Sequence, residues 1–469
     1  MHMREVIGFG TIVVVAALWA APLSGQQETT AALSGLVTDR DKAPVGSALV
    51  TVDFQPTGAQ YKTKTNVKGW FSLMGLPVGG PYTVVFEATG FGAQRMESVL
   101  LDLGETRSLE VVLTTAGEPT IRLEKMSVVA AREPTVLGPQ TTLSRDEIEN
   151  QPSIDGSLNE FAAKDPRVVY VDPERGELTA AGQNSRYNSL SVDGVRINDQ
   201  FGVTPNGFPS QGNPLSLETL EAVNVEISPY DVHRGGFTGA SINTVTKSGS
   251  NRFRGSVYTY YRDQNWRGKN PATGDRDPFT DETYGVTLGG PLWRDHLFFF
   301  SSYEHAQRIE PAPSAGLEPT AAALERINKI SAGYGYAPGA LSSPGQQAKQ
   351  DNKYLAKIDW RLSSHQRLSL RYSETRGNQP GFANYSTAGR VSLSGHWYDS
   401  TQNLQAWSAQ LFSQWTPAFQ SEIKIASHHY ESSRTPRTRF PEVRINGVPS
   451  EDGDTGYVYI GAEYSSQVN

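Results

Sequence analysis

The stretch 239-GASINTVTKSGSNRFRGSVYTYY-261 changes style in its middle. Its first half is small and polar around Ile242 and Val245; after the turn 247-KSGSN-251 it becomes a strictly alternating strand. Successive side chains of a strand point to opposite faces, so Phe253, Gly255, Val257, Thr259 and Tyr261 share one face and Arg252, Arg254, Ser256, Tyr258 and Tyr260 the other. A half-buried strand of a soluble sandwich shows the same pattern as a strand with one face on lipid. The flanking sequence decides between them.

Downstream, alternating segments near 252–262, 282–290, 297–306, 353–362, 367–375, 403–415 and 420–430 predict seven antiparallel strands. Their links alternate in length. The short ones are 291-PLWRDH-296, 363-SSHQ-366 and 416-TPAF-419, and the longest runs from Gln307 to Asn352. A soluble barrel has no reason to gather its long loops at one end, whereas an outer-membrane barrel has short periplasmic turns and long extracellular loops. Facing agrees: Tyr354, Ala356, Ile358, Trp360 and Leu362 make a lipid-type row against Lys353, Lys357, Asp359 and Arg361 on the lumen side. Leu368, Leu370 and Tyr372 oppose Arg367, Ser369 and Arg371 in the same way. Trp293, Phe298, Phe299, Trp415 and Phe419 sit at short-turn ends, where a barrel carries an aromatic girdle.

The gross numbers are consistent with this. In 469 residues, 45 Gly, 28 Pro and 10% aromatics predict a mainly β chain with many turns and several domains. A net charge of −7 and a pI near 5.7 leave no basic footprint for nucleic acid. The absence of cysteine excludes disulfides, thiol nucleophiles, Cys-zinc sites and Cys-linked lipid anchors. At the start, Arg4 precedes the apolar run 12-IVVVAALWAA-21 and then Pro22 and small residues, which reads as a signal peptide over 1–25 cleaved near Gly25. The alternative, a membrane helix, needs about 20 apolar residues, and the run is shorter. No other segment reaches that length, so membrane residence means a β-barrel.

Residues 30–116 carry short alternating runs, 33-LSGLVTD-39, 48-ALVTVDF-54, 69-GWFSL-73, 82-YTVVFEA-88 and 109-LEVVL-113, that predict a small β-sandwich. Ala48, Val50, Val52 and Phe54 form one expected inward row; Phe71, Leu73, Val84 and Phe86 are others. The wording 34-SGLVTDRDKAPVGSALVTV-52 followed by 66-NVKGWFSLMGLPVGGPYTVVFEATGF-91 resembles the carboxypeptidase regulatory-like domain, a transthyretin-like sandwich grouped with carbohydrate-binding-like folds. That resemblance implies a spacer or interaction module and no catalysis. Tyr61 and Trp70, the aromatics best suited to a sugar, are read as packing residues.

Between 117 and 134 lies a linker with a short extended stretch bracketed by Pro119 and Pro134. Residues 135–250 then show Ser144 and Glu147 spaced as a capping box before a helix, 183-QNSRYNSLSVDGVRINDQFG-202, 217-LETLEAVNVEISPY-230, and the first half of the opening stretch. This order resembles the α+β plug domain of TonB-dependent outer-membrane receptors: Arg186, then Asp193-Gly194-Val195 after a short strand, a helix-to-strand unit, Gly235-Gly236, and a closing run with Ile242, Asn243 and Lys247. The Pro-, Gly- and Asn-rich segment 201-FGVTPNGFPSQGNP-214 departs from the minimal plug and is expected to form an apical loop. The resemblance implies that Lys125, Met126, Ser127, Val128, Val129, Ala130 and Ala131 stand where the family keeps its TonB box, a segment that adds as a strand to the C-terminal domain of TonB. On the residues alone, an ordinary linker or first strand fits the same stretch. The phrase 285-GVTLGGPLWRDHLFFFSSYE-304 resembles the barrels of Oar-like members of that family.

The opening stretch is thus a join: 239–250 ends the plug and Arg252 begins the wall, with residues 251–469 forming the N-terminal part of an outer-membrane β-barrel in lipid. Transporters of this class have about 22 strands. Seven or eight are readable here, so the expectation is an incomplete barrel from a longer receptor, exported to the outer membrane of a Gram-negative-type envelope. The expected function is TonB-dependent import of an unidentified small ligand: sugar, peptide and metal chelate all fit wet outer loops, and the sandwich's fold name lends slight weight to carbohydrate. The alternative is an outer-membrane-anchored adhesion or surface-assembly protein. No catalytic motif, cofactor signature or metal spacing is present: His428 and His429 face opposite sides of one strand, and 451-EDGDTG-456 reads as a solvated loop rather than a calcium site through Glu451, Asp452 and Asp454.

Overall fold

A computed structural model describes residues 28–115, 140–153, 156–172, 176–199, 204, 207–210, 212–227, 235–269, 274, 276, 278–311, 314–341, 346–416 and 419–463. Seven strands come first: β1 (Ala31–Thr38), β2 (Leu49–Phe54), β3 (Ala59–Lys64), β4 (Trp70–Leu76), β5 (Gly79–Glu87), β6 (Gln94–Leu101) and β7 (Thr106–Val112). They form sheets ordered β4-β1-β7 and β3-β2-β5-β6. β1 is antiparallel to β4 and parallel to β7, and alternate residues along it are buried. All eight expected inward residues, Ala48 just before β2, Val50, Val52 and Phe54 on it, and Phe71, Leu73, Val84 and Phe86, are buried. Each large apolar side chain removed from water in this way contributes about 1.5–3 kcal/mol. The β3–β4 turn is closed by Asn66, whose Oδ1 accepts from the backbone N–H of Lys68 and Trp70 at 2.9 and 3.1 Å. Tyr61 packs on the sandwich core, but Trp70 does not: with Phe71 and Leu73 inward, the two-residue period turns Trp70 outward, 46% exposed.

The central domain starts with β8 (Gln140–Ser144), α1 (Arg145–Asn150) and α2 (Leu158–Ala162), followed by β9 (Val168–Asp172), β10 (Glu177–Ala180), β11 (Ser189–Val192), β12 (Val195–Arg196), β13 (Leu220–Ile227) and β14 (Ala240–Thr246). The Glu147 carboxylate accepts from the N–H and Oγ–H of Ser144 at 2.8 and 2.7 Å, so the capping box closes α1 as its spacing predicts. The expected helix before β13 is only a 3₁₀ turn over Leu217–Thr219, capped by Ser216. A mixed sheet, β12-β11-β14-β13-β8, has β11 parallel to β14. Its core joins Leu190, Val223, Val225 and Ile242 to Phe161 and Leu178, and extends to Phe300, Leu355 and Leu404 of the wall. β13 and β14 are buried along nearly their whole length, polar residues included.

The wall is a seven-stranded antiparallel sheet in chain order: β15 (Arg254–Asp263), β16 (Thr280–Trp293), β17 (Leu297–Pro311), β18 (Gln346–Arg361), β19 (Gln366–Gly381), then β21 (Tyr398–Thr416) and β22 (Phe419–Pro436), with β20 (Arg390–Ser392) lying in the link between β19 and β21. The links 264–279, 312–345 and 382–397 fall at one end and 294–296, 362–365 and 417–418 at the other. Facing follows the sequence: Tyr354, Ala356, Ile358, Trp360, Leu370 and Tyr372 point out, while Lys353, Lys357 and Arg371 are buried. Strand ends differ from the expected ones, because β18 spans 16 residues and begins at Gln346 rather than near 353. The extra residues, such as Lys349, Gln350 and Asp351, continue the ladder with β17 outside the apolar band. They pair through their backbones and carry no alternation signal. Phe298 is also corrected: it is 3% exposed and points inward with Phe300, since three successive phenylalanines cannot share a face. Trp293, Trp415 and Phe419 are exposed as a girdle requires, at 62, 58 and 59%, and outward Phe299 meets Phe253 with ring centroids 6.3 Å apart.

At the long-link end the loops are not independent. Helix α3 (Ala321–Gly333) and the strands β20, β23 (Val443–Pro449) and β24 (Thr455–Ile460) fold together, with β24 central to a three-stranded sheet. Leu317, Ile327, Val391, Leu393, Trp397 and Val458 form their common core. Glu451 to Asp454 of the acidic hexapeptide form the exposed turn of the β23–β24 hairpin, and Thr455-Gly456 begin β24.

Candidate functional site

The Asp193-Gly194 dipeptide makes a two-residue link between β11 and β12, closed by the Val192–Val195 pair. Its φ values of +46° and +72° are those of a type I′ turn, which Asp-Gly is chemically suited to adopt. The turn carries the Asp193 carboxylate toward the wall, and Asp193 is only 6% exposed. Thr246, at the end of β14, donates its N–H and Oγ–H to that carboxylate at 2.9 and 2.7 Å. From the wall, Arg371 Nε stands 3.6 Å and Lys357 Nζ 3.8 Å from its oxygens. Lys357 Nζ also donates to the carbonyl and Oγ1 of Thr246 at 3.0 and 3.2 Å. Lys357 and Arg371 are direct cross-strand partners on β18 and β19, so register alone sets both on one luminal spot. Burial pushes the Asp193 carboxyl up, but Lys357, Arg371 and the Thr246 hydrogen bonds outweigh it and hold it below the usual aspartate range.

A second group lies further along the seam. Glu304 and Lys353, cross-strand partners on β17 and β18, pair at 2.8 Å with both side chains buried. Glu304 also accepts from Ser216 of the central domain at 2.5 Å and from Tyr258 of β15 at 2.9 Å. Thr375 donates to the Pro214 carbonyl at 2.7 Å, and Tyr260 to Glu218 at 2.9 Å. The central domain is therefore fastened to the wall by this polar seam beside the apolar contacts of Phe300, Leu355 and Leu404. A neutral hydrogen bond contributes only about 0.5–1.5 kcal/mol net, because water replaces it when it opens. The polar part of the seam can therefore part and re-form at low net cost. A cleft of about 980 Å³ borders it, with Asp193, Thr246, Lys357, Arg371, Gln410 and Glu422 among its lining.

The other residues singled out in the sequence fall as follows. Gly194 and Val195 complete the turn, and Ile242 is a core residue at 2% exposure. Asn243 is buried and accepts from Ser191 Oγ at 2.8 Å. Lys247 pairs with Glu149 at 3.0 Å, and Arg145 pairs with the same carboxylate at 2.8 Å. Burial raises the Glu149 carboxyl, but the hydrogen bonds from Arg145 and Lys247 prevail and leave it below its ordinary range. Arg186 is exposed on the 3₁₀ turn before β11 and is not brought to Asp193. The segment 125-KMSVVAA-131 and the signal region lie outside the described residues, as does part of 201–214. Lys357 and Arg371 were legible as luminal residues but not as partners of Asp193; Ser216, Thr246, Tyr258 and Glu304 had no sequence signal beyond their place in a strand or turn.

Residues 32–114 match the carboxypeptidase regulatory-like domain, and residues 245–332 match the outer membrane beta barrel domain. Over 330 residues the chain is 28% identical to the TonB-dependent transporter Oar of Myxococcus xanthus, covering 65% of this chain and 29% of that protein. Among solved structures, the outer membrane transporter YddB from Escherichia coli superposes with a TM-score of 0.51 at 13% identity, over 69% of this chain and 43% of that one. The chain thus spans less than half the length of either relative. The chain is mainly β, carries a carboxypeptidase regulatory-like sandwich ahead of an outer-membrane β-barrel domain, and is similar to TonB-dependent transporters.

Proposed function

We propose that the protein imports a small ligand across the outer membrane and that TonB drives it by pulling on 125-KMSVVAA-131. The observation that carries this reading is the polar seam between plug and wall centred on Asp193, Lys357 and Arg371, which suits a plug that must move and return. The pulled segment lies between Thr115, beside the sandwich, and Gln140, the first residue of β8. Among the described residues β8 is an edge strand of the central sheet and pairs with β13 alone, in antiparallel register from Gln140–Glu226 to Ser144–Ala222. Force entering at Gln140 peels that ladder pair by pair and loads α1 and then the seam. Arg186, Asp193, Gly194, Val195, Ile242, Asn243 and Lys247 act in holding the plug together rather than in touching the ligand.

The test uses cells displaying the full-length receptor, with or without TonB, fed a dextran hydrolysate and a tryptic digest of casein. Mass spectrometry of the periplasmic fluid reads what accumulates. The reading predicts that a subset of masses accumulates only when TonB is present and 125–131 is intact. Accumulation indifferent to both would refute it. The folded outer assembly around α3 and β24 gives the adhesion reading its support, and normal surface attachment without TonB would favour it.

A further inference from the structure

Transport by plug and wall leaves the N-terminal sandwich without a task, yet it is fastened to both. Val78 and Leu103 project from the sandwich, 8% and 0% exposed, and cluster with Ala222 and Val245 of the central sheet, apart from the sandwich's own core. At the short-turn end of the wall, Asn251 N–H donates to the Pro56 carbonyl at 2.8 Å and Arg361 Nη1 to the Gly58 carbonyl at 3.3 Å. Gln414 Nε2 reaches the Lys62 carbonyl at 3.5 Å. The segment leading into β1 is held as well: Asn243 Nδ2 of the plug donates to the Glu28 carbonyl at 2.5 Å, and Gln410 Nε2 of the wall to Thr29 Oγ1 at 2.9 Å. Sandwich, plug and wall all contribute to the lining of the large cleft.

These contacts are on the periplasmic side, where the turns are short, and they cover β13 and β14, the strands at the centre of the plug sheet. Beside these hydrogen bonds, Ala222 and Val245 of the plug are covered by the apolar side chains of Val78 and Leu103 of the sandwich. Undocking the sandwich therefore exposes apolar surface and is opposed by the hydrophobic effect. We infer that the sandwich carries a docking surface for the underside of the plug and the rim of the wall, and acts as a stopper that must leave before the plug opens. This rests on the transport reading. The segment 116–139 joins stopper to plug, so one pull bears on both.

The 469 residues contain no cysteine, and any in the rest of the full-length receptor are replaced by serine, so that the two engineered thiols are the only reactive ones. Lys62→Cys with Gln414→Cys in the full-length receptor is treated with a short, cleavable bismaleimide; Lys68→Cys, on the exposed far turn of the sandwich, with Gln414→Cys is the control. The receptor is then placed in planar bilayers, and KCl current is recorded while urea on the periplasmic side loosens the plug. The stopper predicts a crosslink in the first pair and not in the control. It also predicts a drop in urea-induced current of roughly tenfold or more, about 1.4 kcal/mol, reversed when the linker is cleaved. A crosslink that leaves the current unchanged overturns the stopper while keeping the docking; no crosslink overturns the docking itself. No current in any form, wild type included, overturns the transport reading and the stopper with it.

Discussion

Replacing Asp193 by asparagine removes one charge from the seam and almost nothing else. Asparagine tolerates the left-handed conformation that Asp193 adopts at φ +46°; its one side-chain oxygen keeps the bond from the Thr246 N–H, and its amide nitrogen can donate to the rotated Thr246 hydroxyl, so the turn keeps its shape. What changes is the environment of two cations whose side chains are 8% and 1% exposed, Lys357 and Arg371, at 3.8 and 3.6 Å. At an effective dielectric constant of 20, a pair near 4 Å interacts by about 4 kcal/mol. Removing one partner of a buried pair costs about 3–5 kcal/mol overall. At 1.4 kcal/mol per decade, the opening equilibrium of the plug should rise more than about a hundredfold. Hydrogen exchange of the full-length receptor reads this directly in peptides covering Ser189–Val192 and Ala240–Thr246. The pH dependence has a definite sign. The folded titration of Asp193 lies below its ordinary value near 3.9, so its contribution is complete above that value and is lost as pH falls through the depressed folded range. Protection in the wild type should fall there, while the Asp193→Asn variant lacks that component. A variant within about 0.5 kcal/mol of wild type would mean that Lys357 and Arg371 are hydrated and that the seam is not held by charge.

Gly194→Val tests the same turn by its backbone: at φ +72° a side chain costs about 1–2 kcal/mol, and unfolding of the plug in urea should shift accordingly. On the wall, Ile358→Arg at the centre of the outward row should cost about 2–4 kcal/mol in refolding into lipid, the depth-dependent price of charge on that face. Ser369→Arg, one strand over on the luminal face, should cost far less, and equal costs would contradict the facing. Glu221, under the sandwich, is raised from its ordinary range by burial, against the pull of Arg145, Lys247 and Lys357. A carboxyl raised in the fold destabilises it once the unfolded chain ionises, so Glu221→Gln should stabilise at neutral pH, the gain fading as pH falls below the ordinary glutamate range.

The wall was legible because its physics is local. A strand between lipid and lumen must alternate, and Tyr354 through Leu362 states that alternation residue by residue. The Ser144–Glu147 cap was readable for a similar reason, resting on a few neighbouring dihedrals, whereas the Asp193-Gly194 turn was implied by the family resemblance. The Asp193 site was half legible. Lys357 and Arg371 had to face the lumen, but their meeting with Asp193 depends on the β18–β19 register and on how β11 lies against them, across a chain separation that no local pattern spans. The outward turn of Trp70 and the inward turn of Phe298 were misjudged because residue type was weighed over the two-residue period. The outer assembly around β24 draws its core from three separate links, so none of them carries a periodic signal of its own.

The central claim, that this receptor is driven through 125-KMSVVAA-131, is tested most directly by titrating a synthetic peptide spanning Leu123 to Pro134 with a purified TonB C-terminal domain, beside the same peptide carrying Val128→Pro. Strand addition depends on backbone hydrogen bonds, and proline removes a donor. The account predicts saturable binding that the proline abolishes. Absence of binding by a TonB domain that binds an established box, or binding indifferent to the proline, would contradict it.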